Sequence, residues 1–145
     1  MSTRALIARP EETDGGIAGV YLHLDGYPSR TGKMLYARVG DAVALLTRLD
    51  RVRHELVDAH PAGYSALRDP DSQGAVECYC HSRGEGTDRP LIHDPAPDWA
   101  EYTYLLADEG LTIARSGDHV AFTVPWCLDN EPDWAGITGW LEVAR

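Results

Sequence analysis

Positive charge is scarce in this 145-residue chain: 13 lysines and arginines stand against 23 aspartates and glutamates, a formal net charge of −10 at pH 7. That balance argues against bulk binding to a nucleic-acid backbone. It fits simple solubility, a small-molecule site or a basic protein partner. Cysteine is also sparse, and three residues are an odd set for a disulfide framework. No apolar run approaches the ~18 residues of a membrane-spanning helix, and no secretory pattern follows Met1. A soluble, cytoplasmic protein is therefore expected, with no membrane partner. Internal repeats, linkers and low-complexity stretches are missing, so residues 1–145 read as a single globular domain. No Gly-x-Ser-x-Gly elbow, P-loop or dinucleotide fingerprint is present.

What is present reads as short strands joined by tight turns. Ala5 to Arg9 predicts a first strand, Asp14-Gly15-Gly16 a turn, and Ile17 to Asp25 a second strand paired with the first. Gly32 to Arg38 predicts a short helix. Asp41 is a plausible N-cap for a second helix, with Ala42, Leu45, Leu46, Leu49 and Val52 at helical spacing. His54 to Gln73 reads as a loop with a helical turn, Ala75 to His81 as a third strand, and proline-rich Arg89 to Pro97 as irregular. Tyr102 to Leu106 and Leu111 to Arg115 flank Asp108-Glu109-Gly110 as a hairpin. His119 to Val124 follows as another strand, with Val120, Phe122 and Val124 inward, and Gly139 to Ala144 as a final strand or helix. The expected class is α+β: a single antiparallel sheet of about five to six strands with two helices packed on one face.

The segment Tyr21-Leu22-His23-Leu24-Asp25-Gly26-Tyr27-Pro28 is the most informative. Period-two alternation sets Leu22 and Leu24 on one face and Tyr21, His23, Asp25 and Tyr27 toward the other. A structural strand needs only the leucines; a histidine, a carboxylate and phenols opposite them are what a site uses. His81, Arg83 and Glu85 close the predicted third strand, and Arg4 opens the first. If these strands are close neighbours, Arg4, His23, Asp25, Tyr27, His81, Arg83 and Glu85 converge at a common edge. Arginine would then grip phosphate or carboxylate bidentately. The competing reading is architectural: Asp25-Gly26 makes a turn, Arg83 and Glu85 a solvated local ion pair, and Tyr27-Pro28 a cover for the core.

With Ser2-Thr3-Arg4, His81-x-Arg83-Gly84-Glu85, Gly32 and Glu101-Tyr102-x-Tyr104, this segment resembles a family of small bacteriophage and bacterial proteins, actinobacterial ones included. Its members carry Tyr-x-His-Trp-Asp-Gly-Tyr-Pro, and the likeness spans roughly residues 2 to 106. Leu24 stands where the family has tryptophan, so no stacking ring is expected there. The resemblance implies a phage or mobile-element connection and brings no particular activity with it.

Two chemistries follow for the convergent residues. As a binding module they would hold a small anionic ligand or a protein partner. As a small hydrolase or transferase, His23 or His81 would be the general base and Asp25 or Glu85 its orienting carboxylate. Metal is a weaker prospect. Cys78 and Cys80 point the same way along a strand, and His93 and Cys127 would complete a zinc set, but the spacing matches no common zinc pattern. Ser2, if exposed by removal of Met1, is a remote candidate for an N-terminal nucleophile. Tyr79, Trp99, Tyr102, Tyr104, Trp126, Trp134 and Trp140 lack an interleaved basic patch, and most are expected as core and as lids over the sheet ends rather than stacked on nucleic-acid bases.

Overall fold

The computed structural model of the chain describes residues 3–11, 16–22, 26–39, 45–58, 91–92, 100–115, 121–126 and 131–143. Among them run six strands: β1 Ala5–Pro10, β2 Ile17–Leu22, β3 Leu91–Ile92, β4 Tyr102–Leu106, β5 Gly110–Arg115 and β6 Ala121–Pro125. They form one sheet in the order β3-β2-β1-β4-β5-β6. β1 and β2 pair as the expected hairpin, Ala5 opposite Leu22 and Pro10 opposite Ile17. The β4–β5 hairpin is also as expected, with Tyr104 opposite Ile113.

The sheet is not wholly antiparallel. β1 and β4 run parallel, Ala5 beside Tyr102 and Ala8 beside Leu105. Tight turns dictate antiparallel pairing inside each hairpin, but the long connection carrying two helices leaves the hairpins free to join in parallel. The burial of β1 fits that central place. Ala5, Leu6, Ile7 and Ala8 are all completely buried, so the strand reads as a continuous apolar run rather than an alternation. Leu91–Ile92, expected to be irregular, is a two-residue edge strand against Ala18 and Ile17. The predicted strand over 75–81 lies outside the described residues.

Three α-helices, rather than two, accompany the sheet among the described residues: α1 Lys33–Val39, α2 Leu45–Arg53 and α3 Trp134–Val143. All three lie on one face. Met34 and Leu35 of α1, Leu49 and Val52 of α2, and Trp134, Ile137 and Leu141 of α3 join Ile7, Val20, Tyr104, Ile113 and Val124 in one apolar cluster. The sequence sets the start of α3 through Asp133, whose Oδ1 accepts a hydrogen bond from the Gly136 N–H at 3.1 Å as an N-cap. Its buried positions recur at i, i+3 and i+7. The helix thus begins at Trp134, five residues before the element expected from Gly139.

Leu46 corrects the reading of α2: it is 65% exposed. At 100° per residue it sits about a quarter turn from the centre of the stripe of Leu45, Leu49 and Val52. Asp41 and Ala42 lie outside the described residues. Beyond α2 a π-helical turn, His54–Asp58, carries Leu56 and Val57 into the core. In β6, Val124 is buried, while Phe122 is 37% exposed and meets the Trp140 ring edge-on at 5.6 Å.

Candidate functional site

Three of the sequence segments singled out above meet at one end of the sheet. There β1 and β4 begin, and β2 ends. The Gly26 N–H donates to the Thr3 carbonyl at 3.0 Å, and the Glu101 N–H donates to the Arg4 carbonyl at 2.9 Å. From inside the core the Tyr104 hydroxyl donates to the Gly26 carbonyl. Ser-Thr-Arg, Asp-Gly-Tyr-Pro and Glu-Tyr-x-Tyr are thereby tied together through Thr3, Arg4, Gly26, Glu101 and Tyr104.

Local geometry explains the residue choices. A Cβ on Gly26 would stand 2.7 Å from the Thr3 carbonyl oxygen and 2.7 Å from the Ala5 Cβ. Only glycine permits so close an approach. Pro28 then opens the π-helical turn Pro28–Gly32, where its missing N–H is no loss. The Tyr27 carbonyl accepts from the Arg30 and Thr31 N–H groups, each at 3.0 Å. Gly32 ends the turn beneath a ring: its Cβ would be 3.1 Å from Trp134 Cζ3 and 3.4 Å from Tyr104 Cε1.

Tyr104 is fully buried. Burial first, and the neighbouring Tyr102 second, hold its phenol well above the ordinary value of 10.0, so it stays a hydrogen-bond donor at physiological pH. Tyr102 and Tyr104 are core residues, as expected, and so are Trp126 and Trp134; Trp140 is 44% exposed.

Of the residues proposed to bind, Arg4 and Tyr27 fall within the described part. Both are exposed at this end, Tyr27 at 37%. Glu101 is exposed beside them. His23, Asp25, His81, Arg83 and Glu85 lie outside the described residues, as do Ser2 and the zinc candidates Cys78, Cys80, His93 and Cys127. Among the described residues no group of three or more histidines, cysteines, aspartates or glutamates is arranged to hold a metal ion. No helix among them is long and apolar enough to cross a membrane.

A second polar region, at the opposite end of β1, was not singled out from the sequence. Arg9 donates from Nε to Asp58 Oδ1 at 2.8 Å and lies 3.5 Å from Glu11. Arg53 donates from Nε to the Leu106 carbonyl at 2.8 Å and from Nη2 to Asp108 at 3.0 Å. The signal for Arg9 was available: period two puts it on the face of Ala5 and Ile7, where a guanidinium must find partners.

Compared with known protein families, curated proteins and solved structures, the chain matches none.

Proposed function

We propose that this chain is a binding module that holds a small anionic ligand or a protein partner at the sheet end around Arg4 and Tyr27. One observation carries the reading. Three separate segments are joined there by main-chain and buried side-chain hydrogen bonds, while Arg4 and Tyr27 remain exposed. A rigid backbone with an exposed guanidinium and phenol suits recognition, because little order has to be gained on binding. Arg4 supplies the fork for phosphate or carboxylate and Tyr27 a ring with a hydroxyl tip. His23, Asp25, His81, Arg83 and Glu85 complete the proposed surface on sequence grounds. The family resemblance gives such a module a phage or mobile-element setting.

The test is a thermal shift with nucleotides, cyclic nucleotides and sugar phosphates on the wild type, Arg4→Gln and His23→Ala. A ligand at about 100 times its Kd should stabilise the wild type by roughly 2.7 kcal/mol. Arg4→Gln, at an exposed position, should leave the unliganded melting temperature unchanged and abolish the shift. If no compound shifts the wild type, and His23→Ala merely melts earlier, the surface is architectural and the proposal falls.

A further inference from the structure

At the end of the sheet opposite Arg4, the parallel strands β1 and β4 both present their carboxyl ends. In open sheets with parallel strands that is where ligand crevices form, because loops diverge from neighbouring strands there. Here the chain leaves β1 toward β2 on one side, and β4 lies on the other. A cavity of about 270 Å³ opens at this point, lined by Arg9, Pro10, Glu11, Asp50, Arg53 and Asp58. Its size is at the small end for ligand pockets and suits a molecule of a few non-hydrogen atoms rather than a nucleotide.

The lining decides the chemistry. Both guanidiniums are held from behind, and the Arg9 and Arg53 side chains are only 18% and 16% exposed. Arg9 uses Nε on Asp58 and Nη1 on the Pro10 carbonyl, so its Nη2 donors have no partner among the described residues. Arg53 uses Nε and Nη2 on the Leu106 carbonyl and Asp108, and its Nη1 reaches only to 3.7 Å from Asp50. Each arginine therefore keeps N–H donors for another acceptor. Against them stand three carboxylates, Glu11, Asp50 and Asp58. Among the described lining residues a free dianion would meet three carboxylates against two guanidiniums, and a simple cation would face those guanidiniums. A small zwitterion satisfies both sets.

We propose that this cleft is a binding site for a small zwitterion of the free α-amino-acid class. Its carboxylate is taken by the spare donors of Arg9 and Arg53, and its ammonium by Asp50. The site is distinct from the Arg4–Tyr27 surface and does not depend on it.

Amide chemical shifts of the full-length chain should be followed while α-amino acids are titrated to millimolar concentration, alongside their N-acetyl and carboxamide derivatives and inorganic phosphate. The expected result is a saturable shift at Arg9, Glu11 and residues 50–58 with the zwitterions, and none with the derivatives or phosphate. Asp50→Asn, at a side chain 79% exposed, should leave the fold intact and weaken binding roughly 10- to 100-fold, the loss of one charge-assisted hydrogen bond. Arg9→Lys, which keeps the charge but not the fork, should weaken it comparably. The proposal is overturned if no amino acid shifts those residues in the wild type. It is equally overturned if phosphate or the derivatives shift them as strongly, or if the folded Asp50→Asn protein binds unchanged.

Discussion

The Tyr104 hydroxyl reaches the carbonyl of Gly26 across 78 residues of sequence, and both partners are buried. The bond joins the turn after β2 to the middle of β4, two strands away in the sheet. Tyr104→Phe keeps the ring and its packing and leaves the Gly26 carbonyl without that donor. The expected cost is about 1–3 kcal/mol of unfolding free energy. Urea unfolding checks it: the midpoint should fall with the slope unchanged, since the surface exposed on unfolding is the same. An unaltered midpoint would mean that another donor replaces the hydroxyl.

The same phenol sets a response to alkali. Its folded-state pKa is raised above 10.0, by burial and then by Tyr102, so above pH 10 the unfolded chain releases a proton that the fold retains. Stability is therefore fully present below pH 10 and declines as pH rises from there toward the folded value. In Tyr104→Phe this component of the decline should vanish. The variant should be less stable at neutral pH, and its deficit should narrow in alkali. Urea midpoints measured on either side of pH 10 test this; parallel curves for the two proteins would refute it.

Glycine-to-alanine substitutions should have opposite signs at two positions. At Gly26 the new methyl meets main chain and the Ala5 Cβ, which cannot step aside. Overpacking of this kind costs about 1–3 kcal/mol. At Gly139, an exposed position inside α3, nothing lies within 4 Å of where an alanine Cβ would sit. There alanine should stabilise by roughly 0.5–1 kcal/mol, because glycine loses more backbone freedom in a helix. Thermal unfolding of the two variants decides, and a stabilised Gly26→Ala would contradict the close approach.

These positions also mark what could be read from sequence. The hairpins and α1 were legible because turn residues and alternation are local signals. The β1–β4 parallel joint was not, since it depends on how a long connection returns the chain. Leu46 misled because an extra leucine beside a helical stripe looks the same in sequence as one within it. Arg4 and Tyr27 stand in motif segments that the sequence marks, but their exposure at one end of the sheet is set by the β1–β2 hairpin and the Gly26–Thr3 bond, which no motif spells out. The cleft around Arg9 and Arg53 was hidden because its members come from β1, α2 and the turn after it, none of which carries a motif.

The turn between β4 and β5 gives the sharpest energetic test. It is held from two sides: Arg53 Nε donates to the Leu106 carbonyl at 2.8 Å, and Trp126 Nε1 donates to the Ala107 carbonyl at 2.8 Å. Arg53 also pairs with Asp108, but that carboxylate is 74% exposed and its ion pair should contribute little. Arg53→Met keeps the aliphatic stem and removes the donors; Trp126→Phe keeps a ring against Tyr36 and removes the N–H. Each should cost about 1–3 kcal/mol. Because both act on one short turn, the double variant should depart from the sum of the singles by at least ~0.5 kcal/mol. Salt separates the two contributions of Arg53. If the neutral carbonyl dominates, the cost of Arg53→Met persists at about 1 M salt, where an exposed ion pair is screened. A cost that disappears at high salt would assign the stabilisation to Asp108 instead.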